Sequence, residues 1–259
     1  MKAIPSQYGQ PWTREELILA FDLYCRIPFK ATKASNPAVI QLAHLLDRSP
    51  ASVARKLGNF GAFDPTLRAR NITGLTHTAR LDRVVWEEFC RDWGRLVEEA
   101  TRLRDKFSRG PTQHLPSFPL KDVRGPSERI VTAKQRLHQA FFREAVLSSY
   151  ENCCCVTGLA VPEALIASHI IPWSEDENRR ADPRNGLCLS ATFDRLFDTG
   201  LLTIEADMTV RLSQSLRRRK DEAVSHLILP YQGQSIRRPS RFAPSEECLD
   251  WHRRNVFRG

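Results

Sequence analysis

Apolar residues recur at helical spacing through the first 107 positions, and each run predicts an amphipathic helix. Over residues 12–26, Leu17, Ala20, Phe21 and Tyr24 share one face, and Thr13 with Glu16 makes a capping-box pattern. Pro28 ends this run. Residues 37–46 open with Pro37 and place Ile40, Ala43 and Leu46 together. Residues 50–60 follow a Ser49 cap and Pro50, with Val53, Leu57 and Phe60 as the stripe. Val84, Val85, Phe89, Trp93, Leu96 and Val97 predict one long helix over 80–107. Between 108 and 127, Gly110, Pro111, Pro116, Pro119, Gly125 and Pro126 interrupt any regular element, so the stretch reads as a linker. A helix is expected again over 128–150, apolar through Ala140, Phe141, Ala145, Val146 and Leu147 and basic through Lys134, Arg136 and Arg143.

After Tyr150 the pattern changes. Cys155-Val156-Thr157-Gly158 is a strand-and-turn signal, and Leu165 to Trp173 is a β-prone apolar run interrupted by Ser168-His169. A polar loop runs from Ser174 to Arg184. Asn185-Gly186 is a turn signal before the short strand Leu187-Cys188-Leu189. Thr192 to Gly200 reads as a short helix that buries Phe193, Leu196 and Phe197 and leaves Asp194 opposite; Leu201 to Ile204 is a further strand. The chain is therefore predicted to be α+β, with an all-α domain over 1–107, a linker over 108–127 and a mixed domain over 128–259.

Charge sharpens this division. The chain has 259 residues and net charge +9, but the distribution is uneven. Residues 101–150 carry ten Lys/Arg against four Asp/Glu, 151–210 carry four against ten, and 211–259 carry eleven against five. An acidic block between two basic ones suits a carboxylate-lined metal site flanked by surfaces that hold a polyanion; solvated charged helices would give the same count. No apolar run approaches the roughly 20 residues that span a bilayer. Met1 to Gln10 lacks the apolar core of a secretory signal, so no membrane association and a cytoplasmic location are expected. Seven cysteines, three of them consecutive at 153–155, do not form a disulfide framework.

The first three predicted helices, with a tight turn at Asp47-Arg48-Ser49, make a helix-turn-helix pattern. Trp12-Thr13-Arg14-Glu15-Glu16-Leu17 followed by Ser49 to Leu57 resembles the three-helix Myb/SANT type of DNA-binding module. That resemblance makes the third helix the reader, with Arg55, Lys56 and Asn59 pointing outward to DNA. Structural and protein-binding modules share the same pattern. In the second half, Arg136, Arg143 and Arg184 are the candidate nucleic-acid contacts.

Three ordered segments carry a stronger resemblance. Ala167-Ser168-His169-Ile170-Ile171-Pro172-Trp173, Asn185-Gly186-Leu187-Cys188-Leu189 and Asp194-Arg195-Leu196-Phe197-Asp198-Thr199-Gly200 resemble the HNH endonuclease family of bacterial restriction-type proteins. The likeness begins near Arg136 and reaches Trp251 to Phe257. It implies a ββα-metal nuclease domain in which His169 is the general base, Asn185 holds the loop and the base, and Asp194 is a metal ligand. Many members have Asp before the catalytic His where this chain has Ser168, so Asp198, Glu163 or water is left to supply the second contact to the metal.

The residue types fit that chemistry independently. A phosphodiester is an anion, and a divalent cation such as Mg²⁺ or Mn²⁺ offsets its charge through one or two carboxylates. Neutral imidazole accepts a proton from water near pH 7. The resemblance implies hydrolysis of double-stranded DNA to a 5′-phosphate and a 3′-hydroxyl in restriction or defence against foreign DNA. One such site cuts one strand, so cutting both requires a homodimer or two visits. Two other classes stay open: a DNA-binding regulator with a degenerate HNH motif, and a nuclease acting on RNA or single strands. Some HNH proteins carry zinc on paired cysteine knuckles, but this chain has no two C-x-x-C pairs, and its cysteines read as buried thiols.

Overall fold

The computed structural model describes Gln7 and residues 9–72, 79–108 and 126–259. Most of the expected linker, residues 109–125, lies outside the described residues, as do Met1 to Ser6 and Tyr8 of the N-terminal stretch. The chain divides into two compact units, Met1–Phe141 and Phe142–Gly259. The fold class is α+β, helical in the first unit and mixed in the second.

The first unit holds α1 (Arg14–Arg26), α2 (Pro37–Leu45), α3 (Pro50–Gly61), α4 (Pro65–Ala69), α5 (Arg80–Phe89) and α6 (Trp93–Phe107). The capping box forms at the start of α1, with Thr13 and Glu16 satisfying each other's backbone N–H groups. α1 is the centre, and α2, α3, α5 and α6 pack on it. Phe21 sits 5.0 Å from the Phe60 ring, 5.1 Å from Trp86 and 5.9 Å from Trp93. Charged groups that enter this core are paired. Arg48 donates to both oxygens of buried Glu16 at 2.7 and 2.8 Å. Burial pushes the Asp22 carboxyl up, but Arg104 and Arg26 outweigh it and hold it below its ordinary value.

Three expectations are corrected here. The helix over 80–107 is two helices: α5 ends at Cys90, and Asp92 caps α6 by accepting the Arg95 N–H at 2.9 Å. The apolar spacing runs on because both helices turn the same kind of face to α1, and Val84 is exposed. Lys56 and Asn59 do not point outward; they are 8% and 6% exposed. Lys56 Nζ lies 2.9 and 3.0 Å from the two oxygens of Asp82, and Asn59 Nδ2 donates to Asp82 at 3.1 Å. An otherwise unpaired buried carboxylate on α5 draws both inward.

α7 (Pro126–Ser149) carries the division between the units. The second unit continues with β1 (Leu165–His169), β2 (Gly186–Ser190), α8 (Ala191–Asp198), β3 (Leu202–Ile204), β4 (Val210–Leu212), α9 (Gln214–Arg217), α10 (Glu222–Leu227) and α11 (Glu246–Asn255). β1 and β2 are antiparallel, with His169 opposite Gly186 and Leu165 opposite Ser190. α8 follows β2 directly and packs on both strands, so strand, strand and helix form one ββα unit. Gly186 permits a close approach by α7: a Cβ there would lie 2.3 Å from Val146 Cγ2 and 2.9 Å from Phe142 Cζ. Cys155 to Gly158 is turn and not strand, and β1 stops at His169 where the longer run to Trp173 was expected. Pro172 cannot donate to a ladder, and Ile171 pairs with a side chain instead.

Candidate active site

The end of β1 and the outer side of α8 bring three oxygen-bearing side chains together. Ser168 is 3% exposed, and its Oγ has no partner at hydrogen-bond distance. The hydroxyl is directed at Asp194 closely enough to ease that carboxyl downward, although burial outweighs it and the net shift is up. Asp198 stands one helical turn after Asp194. Burial and the charge of Asp194 push its carboxyl up to about 6, against a weaker opposing pull from Arg195. Asp194, whose charge raises Asp198, and a buried hydroxyl with no partner at hydrogen-bond distance leave a hard-oxygen pair that a cation would offset. Among the described residues, no group of three or more His, Cys, Asp or Glu is gathered for a metal.

His169 ends β1 next to Ser168. Its ring stacks on Phe142, centroids 3.6 Å apart at 11°, and meets Trp173 edge-on at 5.6 Å. Nε2 lies 3.0 Å from the Arg180 carbonyl oxygen. A carbonyl only accepts, so Nε2 carries the hydrogen and Nδ1 is left with the lone pair. Burial holds the pKa below 6.5, against a smaller upward pull from the Arg180 carbonyl, which keeps the ring neutral near pH 7. The ring is thus fixed, neutral and basic at one nitrogen.

Asn185 acts on the loop and not on the ring. Its Oδ1 accepts the Ile171 N–H at 2.8 Å, and its Nδ2 donates to the Ile171 carbonyl at 3.0 Å and to Arg179 at 3.4 Å. Its backbone oxygen accepts from Ile170 at 2.9 Å. The side chain therefore pins both ends of the loop whose Arg180 carbonyl orients His169. Arg180 closes that loop by donating to the Trp173 carbonyl at 2.9 Å. Arg179 ties it to α11 through Glu247 at 2.6 Å and Cys248 Sγ at 3.0 Å.

Residues 154–205 match the family model described as HNH endonuclease. The chain carries an HNH endonuclease domain. The match spans β1, β2, α8 and β3, which are the elements that hold His169, Asn185, Asp194 and Asp198. No curated protein matches the chain. The domain type is that of a nuclease, a class of hydrolase that binds nucleic acid and generally uses a divalent metal ion. Among the described residues, no helix is long and apolar enough to cross a membrane.

The remaining predicted residues lie around this HNH domain or apart from it. Glu163 is exposed in the turn before β1, at the opposite end of that strand from Ser168 and His169. Arg143 is spent on structure: it donates to the Leu165 carbonyl at 2.9 Å and to Pro162 at 3.2 Å, fixing the entry to β1. Arg184 is held by Asp182, with Nη2 at 2.7 Å from Oδ2. Arg55 and Arg136 are exposed. The Cys154 Sγ accepts the Ser190 N–H at 3.2 Å, and the Cys155 N–H donates to Cys188 O at 2.7 Å. Burial pushes the Cys155 thiol well up and Cys188 up to about 12, so both are protonated.

Sequence reasoning missed Phe142, Arg179 and Arg180. Phe142 was available as an apolar position beside Phe141, but the stacking follows only from seating α7 against Gly186. Arg180 acts through its carbonyl, which no side-chain pattern reports.

Proposed function

We propose that this protein is a metal-dependent endonuclease that hydrolyses phosphodiester bonds in double-stranded DNA. The observation that carries the reading is a neutral His169 with an open Nδ1, one residue along β1 from Ser168 and the Asp194/Asp198 pair. Asp194 and Asp198 are the residues that would hold the metal, and the unpartnered Ser168 Oγ beside them is the feature that a bound cation or its water would satisfy. A hard divalent cation such as Mg²⁺ or Mn²⁺ supplies charge neutralisation at the phosphate and the leaving oxygen. His169 Nδ1 takes a proton from water, the water oxygen bonds to phosphorus, and the P–O3′ bond breaks. The 3′-oxygen gains a proton from solvent, leaving a 5′-phosphate and a 3′-hydroxyl. Asn185 and the Arg180 carbonyl keep the imidazole in the productive tautomer throughout.

The helical unit is assigned target choice, with exposed Arg55 on α3 as its remaining reader and Arg136 as a phosphate contact. Resemblance to restriction-type proteins, together with the basic balance of the chain, supports a role against foreign DNA. The test is digestion of duplex DNA, single strands and RNA with Mg²⁺ or Mn²⁺, with and without chelator, on unmodified and methylated substrates. Chelator-sensitive cutting of duplex DNA is expected. Duplex binding with no cutting under any condition would leave a DNA-binding protein with an inactive motif, and faster cutting of RNA or single strands would replace the substrate.

A further inference from the structure

Some arginines of the second unit are ion-paired, and others, Arg237 and Arg238 among them, are exposed without a carboxylate partner among the described residues. Arg179, Arg180, Arg184, Arg211, Arg253 and Arg254 each meet a carboxylate. Arg217-Arg218-Arg219-Lys220 does not: all four are exposed, and none forms an ion pair among the described residues. Four successive cations repel one another, and the cost stays unless an anion from elsewhere offsets it. The neighbouring carboxylates do not serve. Asp221 is engaged in capping α10, accepting the Val224 N–H at 3.1 Å, and Glu222 is exposed in the first turn of that helix. Arg217 gains a little from the end of α9, but that helix has only four residues.

The run is also held in place. Ser213 caps α9, and Leu216 is buried in the core of the unit. The Ser213 N–H donates to the Leu201 carbonyl at 2.9 Å, and Leu201 lies three residues beyond Asp198. The Ser213 cap of α9, four residues before Arg217, is therefore tethered to the segment that follows α8 and Asp198. We infer that Arg217–Lys220 is a phosphate-binding rail that seats the backbone of the nucleic acid near Asp194 and Asp198, without reading its sequence. The inference rests on the nuclease reading and names a surface for its substrate. The chemistry is that of phosphate contacts: flexible cations in open solvent, close to an anionic partner, with their affinity set by counterion release.

The test is the salt dependence of duplex binding by the full chain without divalent cation, read by fluorescence anisotropy. The variant carries Arg217→Gln, Arg218→Gln, Arg219→Gln and Lys220→Gln. A control removes four charges elsewhere in the same unit, through Arg211→Gln, Arg237→Gln, Arg238→Gln and Arg254→Gln. Each phosphate contact contributes about 0.9 to the slope of log affinity against log salt, so the rail variant should lose about two to four and the control less than about one. Single Lys220→Gln should lose up to about 0.9, which guards against a folding effect in the quadruple variant. Equal slopes for rail variant and control overturn the rail while leaving the nuclease reading intact. A wild type that binds no duplex, single strand or RNA overturns both. Binding to anionic vesicles that depends on the run, with duplex slopes unchanged, assigns the surface to a membrane and overturns the proposal.

Discussion

Two histidines of the second unit are held almost alike. His169 stacks on Phe142 at 3.6 Å and His252 on Phe197 at 3.7 Å. Each donates from Nε2 to a backbone carbonyl, of Arg180 at 3.0 Å and of Phe197 at 3.1 Å. Burial lowers both, His252 to about 4. The difference is the other nitrogen. Thr203 Oγ1 donates to His252 Nδ1 at 2.9 Å, so His252 is saturated and joins β3, α8 and α11. His169 Nδ1 keeps its lone pair for something else. Stacking, burial and a lowered pKa are common to both rings; the open second nitrogen is what sets His169 apart and what the proposed function uses.

The sharpest way to break this contrast is to truncate both rings. His169→Ala should lower cleavage by about 10²–10⁴-fold, the scale of general-base assistance, with duplex binding retained below a melting point lowered by the lost stacking on Phe142. Activity within threefold of the wild type, a limit far below that scale, would remove His169 from the reaction.

The same contrast exists between carboxylates. Asp82 is satisfied by Lys56 and Asn59, whereas Asp198 is raised by burial and by the charge of Asp194. Asp82→Ala strands a buried ammonium and should cost about 3–5 kcal/mol in urea unfolding, with little change in the chemistry of the other unit. A loss below about 1 kcal/mol would mean that Lys56 reaches water. His252→Ala should cost about 2–4 kcal/mol, from the cavity and the stranded Thr203 hydroxyl, with cleavage retained below the new melting point. Its folded value lies below the ordinary 6.5, so the unfolded chain binds more protons between the two. The His252 contribution is therefore complete above pH 6.5 and lost as pH falls toward 4.

Asp198 has the opposite sign and the smallest effect. Its folded value of about 6 lies above the ordinary 3.8, so the folded chain binds more protons between them and its burden grows as pH rises from 3.8 to 6. Asp198→Asn should raise the melting temperature of the metal-free protein at neutral pH by a few degrees and abolish Mg²⁺-induced stabilisation. A variant that melts lower, or that still responds fully to Mg²⁺, would make Asp198 a structural carboxylate.

Much of this architecture was legible because it is local. Thr13 and Glu16 cap their own helix, and the order strand, Asn-Gly turn, strand, helix is written in neighbouring residues. The same local character placed His169 in a strand-forming run and Asp194 on a helix, although the strand ends at His169 and not at Trp173. What stayed hidden depends on distant partners. Lys56 and Asn59 look like outward readers on a well-capped helix until Asp82, 26 and 23 residues later, draws them in. Continuous spacing from Val85 to Val97 hid the break that Asp92 makes. His252 lies in the segment where the resemblance ends, but its role was not legible, since it needs Thr203 and Phe197 from two other elements.

Asn185-Gly186 also sets how this protein ages. Asn followed by Gly is the dipeptide in which a backbone nitrogen most readily attacks a side-chain amide, because glycine offers no Cβ to hinder it. In the folded chain the Asn185 amide is engaged on both its oxygen and its nitrogen by Ile171, and cannot turn toward Gly186. Heating or partial unfolding releases it. The product is a carboxylate facing the Ile171 and Arg179 carbonyls, where a donor is required. Deamidation at this one position would loosen the loop behind His169 while leaving the rest of the sequence untouched. Storage life is then set by how rarely β1 and β2 open, and peptide mass spectrometry of heat-aged samples should find Asn185 converted in step with lost activity.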